Sequence, residues 1–329
     1  MEKIRWGIVG PGNIARKFAE AIVNVDCAEL VAVASRSENS GREFAEKYNI
    51  PNVFAGYESM AESDIIDAVY IATPHPFHKP CAEIFLNAKK HVLCEKPICV
   101  NANQAIELKE CAKENGVFLM EAMWTRFIPA ILEAKKIADS GEIGDVMGLR
   151  ADFCYSLTPD AEYKIFDPKM AGGSILDVGI YPLNLAAIFF GALPEEVKSS
   201  VYVNYDVDCH TNMLLKYKNG EIASLSSGTM IKKPGDGYIY GTKGYIYLPM
   251  FFGASELTVC VNDEERNIKK PYIGNGFEEE IYEACNCIKA GKTESDIMPL
   301  DESIRILKLM DKIRKEHGVI YPLPGEENL

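Results

Sequence analysis

Over roughly the first 120 residues, short continuous apolar runs alternate with amphipathic stretches of helical period, the grammar of a parallel sheet. "IRWGIVG", "ELVAVAS", "DAVYIAT", "HVLCE" and "VFLMEA" read as strands covered on both faces. Between them, "NIARKFAEAIVNV" places Ile14, Phe18, Ile22 and Val25 on one helical face. "SGREFAEKYN", "FHKPCAEIFLNA" and "ANQAIELKECAKENG" predict further helices, the last ending at Gly116. After about Ala122 the pattern changes. Two helical stretches, "PAILEAKKIADSG" and "ILDVGIYPLNLAAIFFG", flank "VMGLRADFCYSL". Five strand-like runs follow between residues 196 and 261, with hairpin signals at Lys218-Asn219-Gly220 and Thr242-Lys243-Gly244. Two helices near 276–290 and 301–317 close the chain. The expectation is an α/β protein of two domains. Residues 1–122 form the parallel one, and 123–329 an α+β domain with a large, mostly antiparallel, open-faced sheet.

Composition adds exclusions. Of 329 residues, 47% are apolar and 25% charged, ordinary for a globular chain. A formal net charge of -13 argues against binding nucleic acid through a basic face. No uninterrupted apolar run approaches the roughly 20 residues of a bilayer span. "MEKIRWGIVG" enters a strand with no leader pattern. A cytoplasmic protein with neither membrane nor nucleic-acid partners is expected. Ten cysteines follow neither a disulfide framework nor zinc spacing, so no metal is expected. Most read as small buried hydrophobes, and Cys94 beside Glu95 is the candidate for reactivity.

The first chemical signal is Gly10-Pro11-Gly12-Asn13-Ile14-Ala15, directly after the first strand and opening the first helix. Gly10 suits the tight turn, Gly12 lets backbone approach a pyrophosphate, and Ala15 keeps the helix close to the strand. The helix N-terminus supplies N–H donors and a positive dipole. Residues 1–122 are therefore expected to be a dinucleotide-binding Rossmann domain. An NAD site usually carries an acid at the end of the second strand. Here, 20 residues beyond Ala15, stand Ser35 and Arg36. A guanidinium binds a 2′-phosphate through charge-assisted hydrogen bonds, so NADP(H) is favoured over NAD(H).

Three further polar clusters belong at the carboxyl edge of the sheet, where such folds bind ligands. They are Thr73-Pro74-His75-Pro76-Phe77-His78, Glu95-Lys96-Pro97 and "EAMWTRF", Glu121 to Phe127. Thr73, Pro74, His75, His78, Glu95, Lys96, Trp124 and Arg126 are thus candidate cofactor contacts. Arg126, with Tyr155 and Phe166, also suits the wall of a substrate pocket, because sugar and diol rings pack on aromatic faces. Each of these aromatics reads equally well as plain packing.

Together, the first turn, Glu-Lys-Pro at the end of "HVLCE" and "GGSILDVGIYPLN" resemble the Gfo/Idh/MocA oxidoreductase family over essentially the whole chain. "EAMWTRF" and "DVGIY" are most similar to the branch containing dimeric dihydrodiol dehydrogenase, NADP-dependent D-xylose dehydrogenase and glucose–fructose oxidoreductase. The resemblance implies that Lys96 is the catalytic lysine and that the second chemical group comes from "GGSILDVGIYPLN". Many relatives carry an aspartate and, four residues on, a histidine. Here Asp177 is followed by Tyr181, with Asn184 where those relatives often have a second aspartate. That departure favours a tyrosine mechanism. Asp177 and Tyr181 at i and i+4 share a helix face. An ammonium such as that of Lys96 stabilises a nearby phenolate and brings tyrosine down from its usual value near ~10.

The expected function is hydride transfer between NADP and a hydroxyl or carbonyl carbon of a sugar, cyclic polyol or trans-dihydrodiol. Lys96, Tyr181 and Asp177 would be its catalytic residues, with Lys96 and Tyr181 also touching substrate. A rival reading is an NADP-binding sensor without turnover. The expected assembly is a homodimer or a dimer of dimers through the open sheet face.

Overall fold

The computed structural model describes residues 2–158, 164–191 and 193–328. They divide into two compact units. The first comprises the chain up to Trp124 together with Ile273–Ile304, and the second comprises Thr125–Tyr272 with Arg305 onward.

The first unit is built from β1 (Ile4–Val9), α1 (Asn13–Ile22), β2 (Ala28–Ser35), α2 (Glu38–Tyr48), β3 (Asn52–Ala55) and α3 (Glu58–Ala61). It continues with β4 (Ala68–Ile71), α4 (His78–Asn87), β5 (His91–Glu95), α5 (Ala102–Asn115) and β6 (Leu119–Ala122). The six strands are ordered β3-β2-β1-β4-β5-β6 and all run parallel. This order reverses direction between β1 and β4, which opens a crevice at the strands' carboxyl ends. Every residue of β4 and β6 is buried, as their unbroken apolar runs require. Helix α1 buries Ala15, Phe18, Ala19 and Ile22 on the sheet, whereas Ile14, expected on the same face, is only half-buried. Helix α5 starts where Asn101 Oδ1 accepts the Gln104 N–H at 3.0 Å. It stops at Gly116, whose φ of 65° is left-handed.

The second unit holds α6 (Pro129–Asp139), β7 (Val146–Cys154), α7 (Ile180–Phe190), β8 (Glu196–Asn204), β9 (Val207–Lys216) and β10 (Ile222–Gly228). Strands β11 (Gly237–Gly241), β12 (Gly244–Leu248), β13 (Glu256–Val261) and β14 (Glu264–Lys269) follow. The eight strands are ordered β14-β13-β12-β11-β7-β10-β9-β8. Only the β7–β10 pair is parallel. The predicted hairpin loops join β9 to β10 and β11 to β12. Strand β9 shows why one face is open: Cys209, Thr211, Met213 and Leu215 are buried, while Asn212, Leu214 and Lys216 are exposed. Helix α7 lies against β7 and β10 on the buried side. The last helices are α8 (Glu278–Lys289), which packs on α1, and α9 (Leu300–Glu316).

The helical stretch Pro168–Phe190 is long and apolar enough to span a bilayer, although 72% of its apolar window is buried. It is a core helix of the sheet's covered side.

Candidate functional site

The turn after β1 needs glycine for two reasons. Gly10 has φ +85°, and a Cβ there would stand 3.0 Å from Thr73 Cγ2 and 3.3 Å from the Ala72 carbonyl. The chain thus presses the end of β1 against the end of β4. Gly12 is different: a Cβ there would meet nothing nearer than the Ala72 carbonyl at 4.0 Å, so its outer side is open. Helix α1 begins with no side-chain cap and no acid in its first turn. Its leading N–H groups, at Asn13, Ile14 and Ala15, lack intrahelical acceptors and would meet an anion with no carboxylate in the first turn to oppose it. These features fit a pyrophosphate.

At the end of β2, Ser35 is buried and its Oγ accepts the Ser37 N–H at 3.2 Å. Arg36 is exposed, with its guanidinium 5.4 Å above the Phe77 ring. The serine is occupied by its own loop, and the arginine is the group presented. Tyr57 lies close enough to Arg36 to feel its charge.

The two histidines after β4 have separate surroundings. His75 is half-buried, its ring 5.8 Å from that of His78. His78 is fully buried, with Nδ1 2.7 Å from the Pro97 carbonyl and Nε2 2.7 Å from the Thr73 carbonyl. Burial first, and His75 second, push it down to about 4, against the pull of the two carbonyls. Expected as a cofactor contact, His78 instead has both ring nitrogens on backbone carbonyls and ties the loop after β4 to the turn after β5. Thr73 is nearly buried and Pro74 sits half-exposed at the loop's start.

That turn carries Glu95-Lys96-Pro97, with a cis Lys96–Pro97 peptide. Glu95 points inward: the Tyr70 hydroxyl donates to its Oε1, and its Oε2 accepts the Lys96 N–H at 3.2 Å. Burial pushes Glu95 up to about 7, against the pull of the Tyr70 hydrogen bond and the Lys96 charge. Lys96 itself is half-buried. Glu121 braces the same turn from β6, accepting the Ile98 N–H at 2.9 Å and the Ser303 hydroxyl at 2.6 Å. Cys94, read from sequence as the reactive thiol, is fully buried, and burial pushes it well up. It is a core residue, because the thiolate that reactivity requires is not solvated there. Trp124 stacks on Phe277 at 5.5 Å, also within the first unit.

In the second unit, Asp177 lies in a π-helical turn, Ile175–Gly179, that runs into α7. π-Turns recur at functional sites. The Tyr155 hydroxyl donates to Asp177 Oδ2. Burial and the Asp177 charge both push the Tyr155 phenol up, so it stays protonated and donating. Tyr181, on the first turn of α7, is edge-on to Phe153 at 5.1 Å and to Phe252 at 6.2 Å. Phe153 and Phe252 stack face to face at 3.8 Å. Arg126 Nε donates to Asn184 Oδ1 at 2.6 Å, and Asn184 Nδ2 donates to the Ile180 carbonyl at 2.9 Å. Asn184 thereby orients Arg126 against α7. Phe166 is edge-on to Tyr205 at 5.5 Å.

Sequence reasoning missed what holds this turn. Buried Asp208 accepts from Ser174 Oγ at 2.7 Å, the Ile175 N–H at 2.7 Å and Thr211 Oγ1 at 3.1 Å, all on Oδ2. Gly172 and Gly173 are explained by the same neighbourhood. A Cβ on Gly172 would sit 2.5 Å from the Ile165 carbonyl, and one on Gly173, at φ +111°, 2.2 Å from Asp208 Oδ1. Both glycines make room for this unit's own backbone and carboxylate. Tyr70, Phe153, Phe252 and Asp208 carry no motif; only Glu121 lay inside a polar cluster legible beforehand. Among the described residues, no three His, Cys, Asp or Glu side chains converge as metal ligands.

Residues 4–123 match the model of an oxidoreductase family with an NAD-binding Rossmann fold. Residues 131–247 match that of the GFO/IDH/MocA C-terminal domain. The chain is 37% identical to trans-1,2-dihydrobenzene-1,2-diol dehydrogenase of Mus musculus, over 97% of this chain and 98% of that one. It is 35% identical to the scyllo-inositol 2-dehydrogenase (NADP(+)) of Bacillus subtilis, over 97% and 98% respectively. Among solved structures, a 3-ketoreductase from Actinomadura kijaniata, bound to NADP and TDP-benzene, superposes with a TM-score of 0.86. The two are 26% identical, over 95% of this chain and 98% of that one.

Proposed function

The chain belongs to the Gfo/Idh/MocA family of oxidoreductases, and from that premise we propose that it is an NADP-dependent dehydrogenase of sugars, cyclic polyols or trans-dihydrodiols. The carrying observation is the carboxyl edge of the parallel sheet. An uncapped, acid-free helix start and an open Gly12 lie beside an exposed Arg36, with no acid at the end of β2 to repel a 2′-phosphate. NADP supplies the carbon that gives or takes the hydride.

The first unit holds this cofactor through Gly10–Ala15 and Arg36, with Thr73, Pro74, His75 and Trp124 along its path; Ser35, His78 and Glu95 shape the loops that present it. The second unit, Thr125–Tyr272 with Arg305 onward, supplies the substrate-binding and oligomerisation domain. Lys96 Nζ and Tyr181 Oη move the hydroxyl proton, and Asp177, held by Tyr155, fixes the turn from which Tyr181 projects. Arg126, oriented by Asn184, and Tyr155 meet the substrate's hydroxyls. Phe166 borders the pocket from the loop before the π-turn. Named relatives that act on a dihydrodiol and on scyllo-inositol support a ring-bearing vicinal diol as the substrate class. Ten free thiols accord with a cytoplasmic setting. The open sheet face, with Leu214 at 45%, Ile222 at 44% and Tyr240 at 39% exposure, is the surface through which two copies associate.

The test is nicotinamide absorbance with NADP⁺ over a panel of aldoses, inositols and trans-dihydrodiols, with Tyr181→Phe alongside. One class should turn over, and the variant should lose about 10²–10⁴-fold in kcat, the range of a positioned general acid–base, at unchanged NADPH affinity. Near-normal turnover by Tyr181→Phe would defeat the mechanism.

A further inference from the structure

Beneath the ends of β4 and β5 the first unit encloses three acidic side chains. Tyr70 and Glu280 are fully buried and Glu95 is 6% exposed. Tyr70 stacks on Phe18 of α1 at 3.9 Å, and α8, which carries Glu280, packs against that same helix. Glu280 is near enough to Glu95 to feel its charge, and Tyr70 feels both. Their hydrogen bonding is unequal. Glu95 has a donor on each oxygen, the Tyr70 hydroxyl and the Lys96 N–H. Neither carboxyl oxygen of Glu280 has a donor among the described residues.

Two carboxyls in one apolar compartment do not both ionise; they titrate as a pair. The charge goes to the partner with donors and the proton to the one without. We propose that Glu280 is a positioning residue for the catalytic lysine, acting through Glu95: it holds the pair's proton, leaving Glu95 as a buried anion beside Lys96. The proposal rests on the reading of Lys96 given above.

The surroundings agree. Burial, then the Glu95 charge and then Glu279 push Glu280 well up, whereas Glu95 is pushed only to about 7. No cation offsets Glu280 from α1, whose charged residues Arg16, Lys17 and Glu20 are all exposed. On its own helix, Glu279 accepts the Ile273 N–H at 3.0 Å, and Glu278 is engaged by Asn24 at 2.9 Å and by the 275–276 backbone. From β6, Glu121 adds a smaller charge effect on Glu95. An uncharged but polar carboxyl at 280 makes the compartment less hostile to the Glu95 anion than an aliphatic side chain does. Replacing it with a hydrocarbon lifts Glu95 further and discharges the lysine's partner at neutral pH.

Infrared difference spectroscopy of the full-length protein with NADP⁺ bound tests where the proton lies. At pH 8 the wild type should show the carbonyl stretch of a protonated, buried carboxyl. That band should vanish in Glu280→Gln and persist in Glu95→Gln. Its absence from wild type, or its survival in Glu280→Gln, overturns the proposal whatever Lys96 does. The pH–rate profile tests the consequence. Glu280→Leu should move the acid limb up by about one pH unit, a roughly tenfold loss on that limb, while Glu280→Gln keeps the limb in place. A loss of equal size at every pH would mark a merely structural role and refute the positioning. Should Glu280→Leu not fold, the infrared result on Glu280→Gln decides. Normal turnover by Lys96→Met would refute the lysine mechanism separately, leaving the infrared assignment as the measure of Glu280.

Discussion

Asp208 offers the sharpest test of how the Asp177 turn is held. Its Oδ2 alone serves three donors: Ser174 Oγ, the Ile175 N–H and Thr211 Oγ1. Its Oδ1 is buried without a hydrogen bond, against Gly173. In Asp208→Ala, Ser174 can turn to Ser227 Oγ at 3.0 Å and Thr211 can rotate, but the Ile175 N–H cannot move. An orphaned buried donor costs about 1–3 kcal/mol, so Ala should cost about 2–4 kcal/mol in all. Asparagine retains an oxygen at the Oδ2 position and should cost under about 1.5 kcal/mol. Burial pushes Asp208 up to about 6 from 3.8. Because the folded value is raised, the fold favours the protonated form. Wild-type stability contributed by this group is therefore intact below the unfolded value and lost as pH rises towards 6. The loss reaches about 3 kcal/mol at its limit. Asn has no proton to lose, so its deficit should shrink between pH 4 and 7 and reverse by neutrality. Urea titrations followed by far-ultraviolet circular dichroism at pH 5 and pH 7 measure this. At a urea slope of about 1–3 kcal/mol/M, the Ala midpoint at pH 5 should fall by about 1–2 M. If Asn is as damaging as Ala, or its deficit grows with pH, the carboxylate acts through its charge and the account of the turn is wrong.

Three other outcomes follow from the site. Arg36→Ala should weaken NADPH binding about 10–100-fold, the worth of one charge-assisted hydrogen bond, and leave NADH nearly unchanged; wild type binding both equally would refute the 2′-phosphate role. His78→Ala removes the link between the Thr73 and Pro97 carbonyls and should raise the KM for NADP⁺ several-fold while costing about 2–4 kcal/mol of stability by cavity and lost hydrogen bonding. An unchanged thermal midpoint and KM would show that the link is idle. Cys94 should resist thiol reagents in the native protein until it unfolds, as mass spectrometry of alkylated peptides would report, and prompt native labelling would contradict its burial.

The sequence by itself determined the elements that depend on local or periodic signals. Unbroken apolar runs fixed five of the six parallel strands, because a strand covered on both faces has no polar alternate positions; the edge strand β3, half-buried and short, left no such run. Gly116 marked the end of α5, since a left-handed stop is a property of a single residue. Gly10 and Gly12, the missing acid after β2 and the Glu95-Lys96-Pro97 turn were legible for the same reason: each is contiguous and has a chemical reason for its residue types. The limits show at His78 and Glu95. Both stand in motifs that read as ligand contacts, yet one ties two loops and the other turns into the core. Which way a side chain points at a strand end depends on what packs around it, and spacing carries no record of that.

Only the tertiary structure brought together residues far apart in the chain. Asp208 reaches back 34 positions to Ser174, and Arg126 finds Asn184 58 positions on. Glu280 comes from a helix that follows the whole second sheet in sequence yet belongs to the first unit. These are hydrogen bonds and shared low-dielectric compartments between distant segments. Their energies arise from burial and mutual approach, quantities that exist only once the chain has folded. The sequence therefore specified a dinucleotide fold and the residues offered for its chemistry, while packing decided which carboxyl keeps a proton, which histidine is a brace and which thiol is inert.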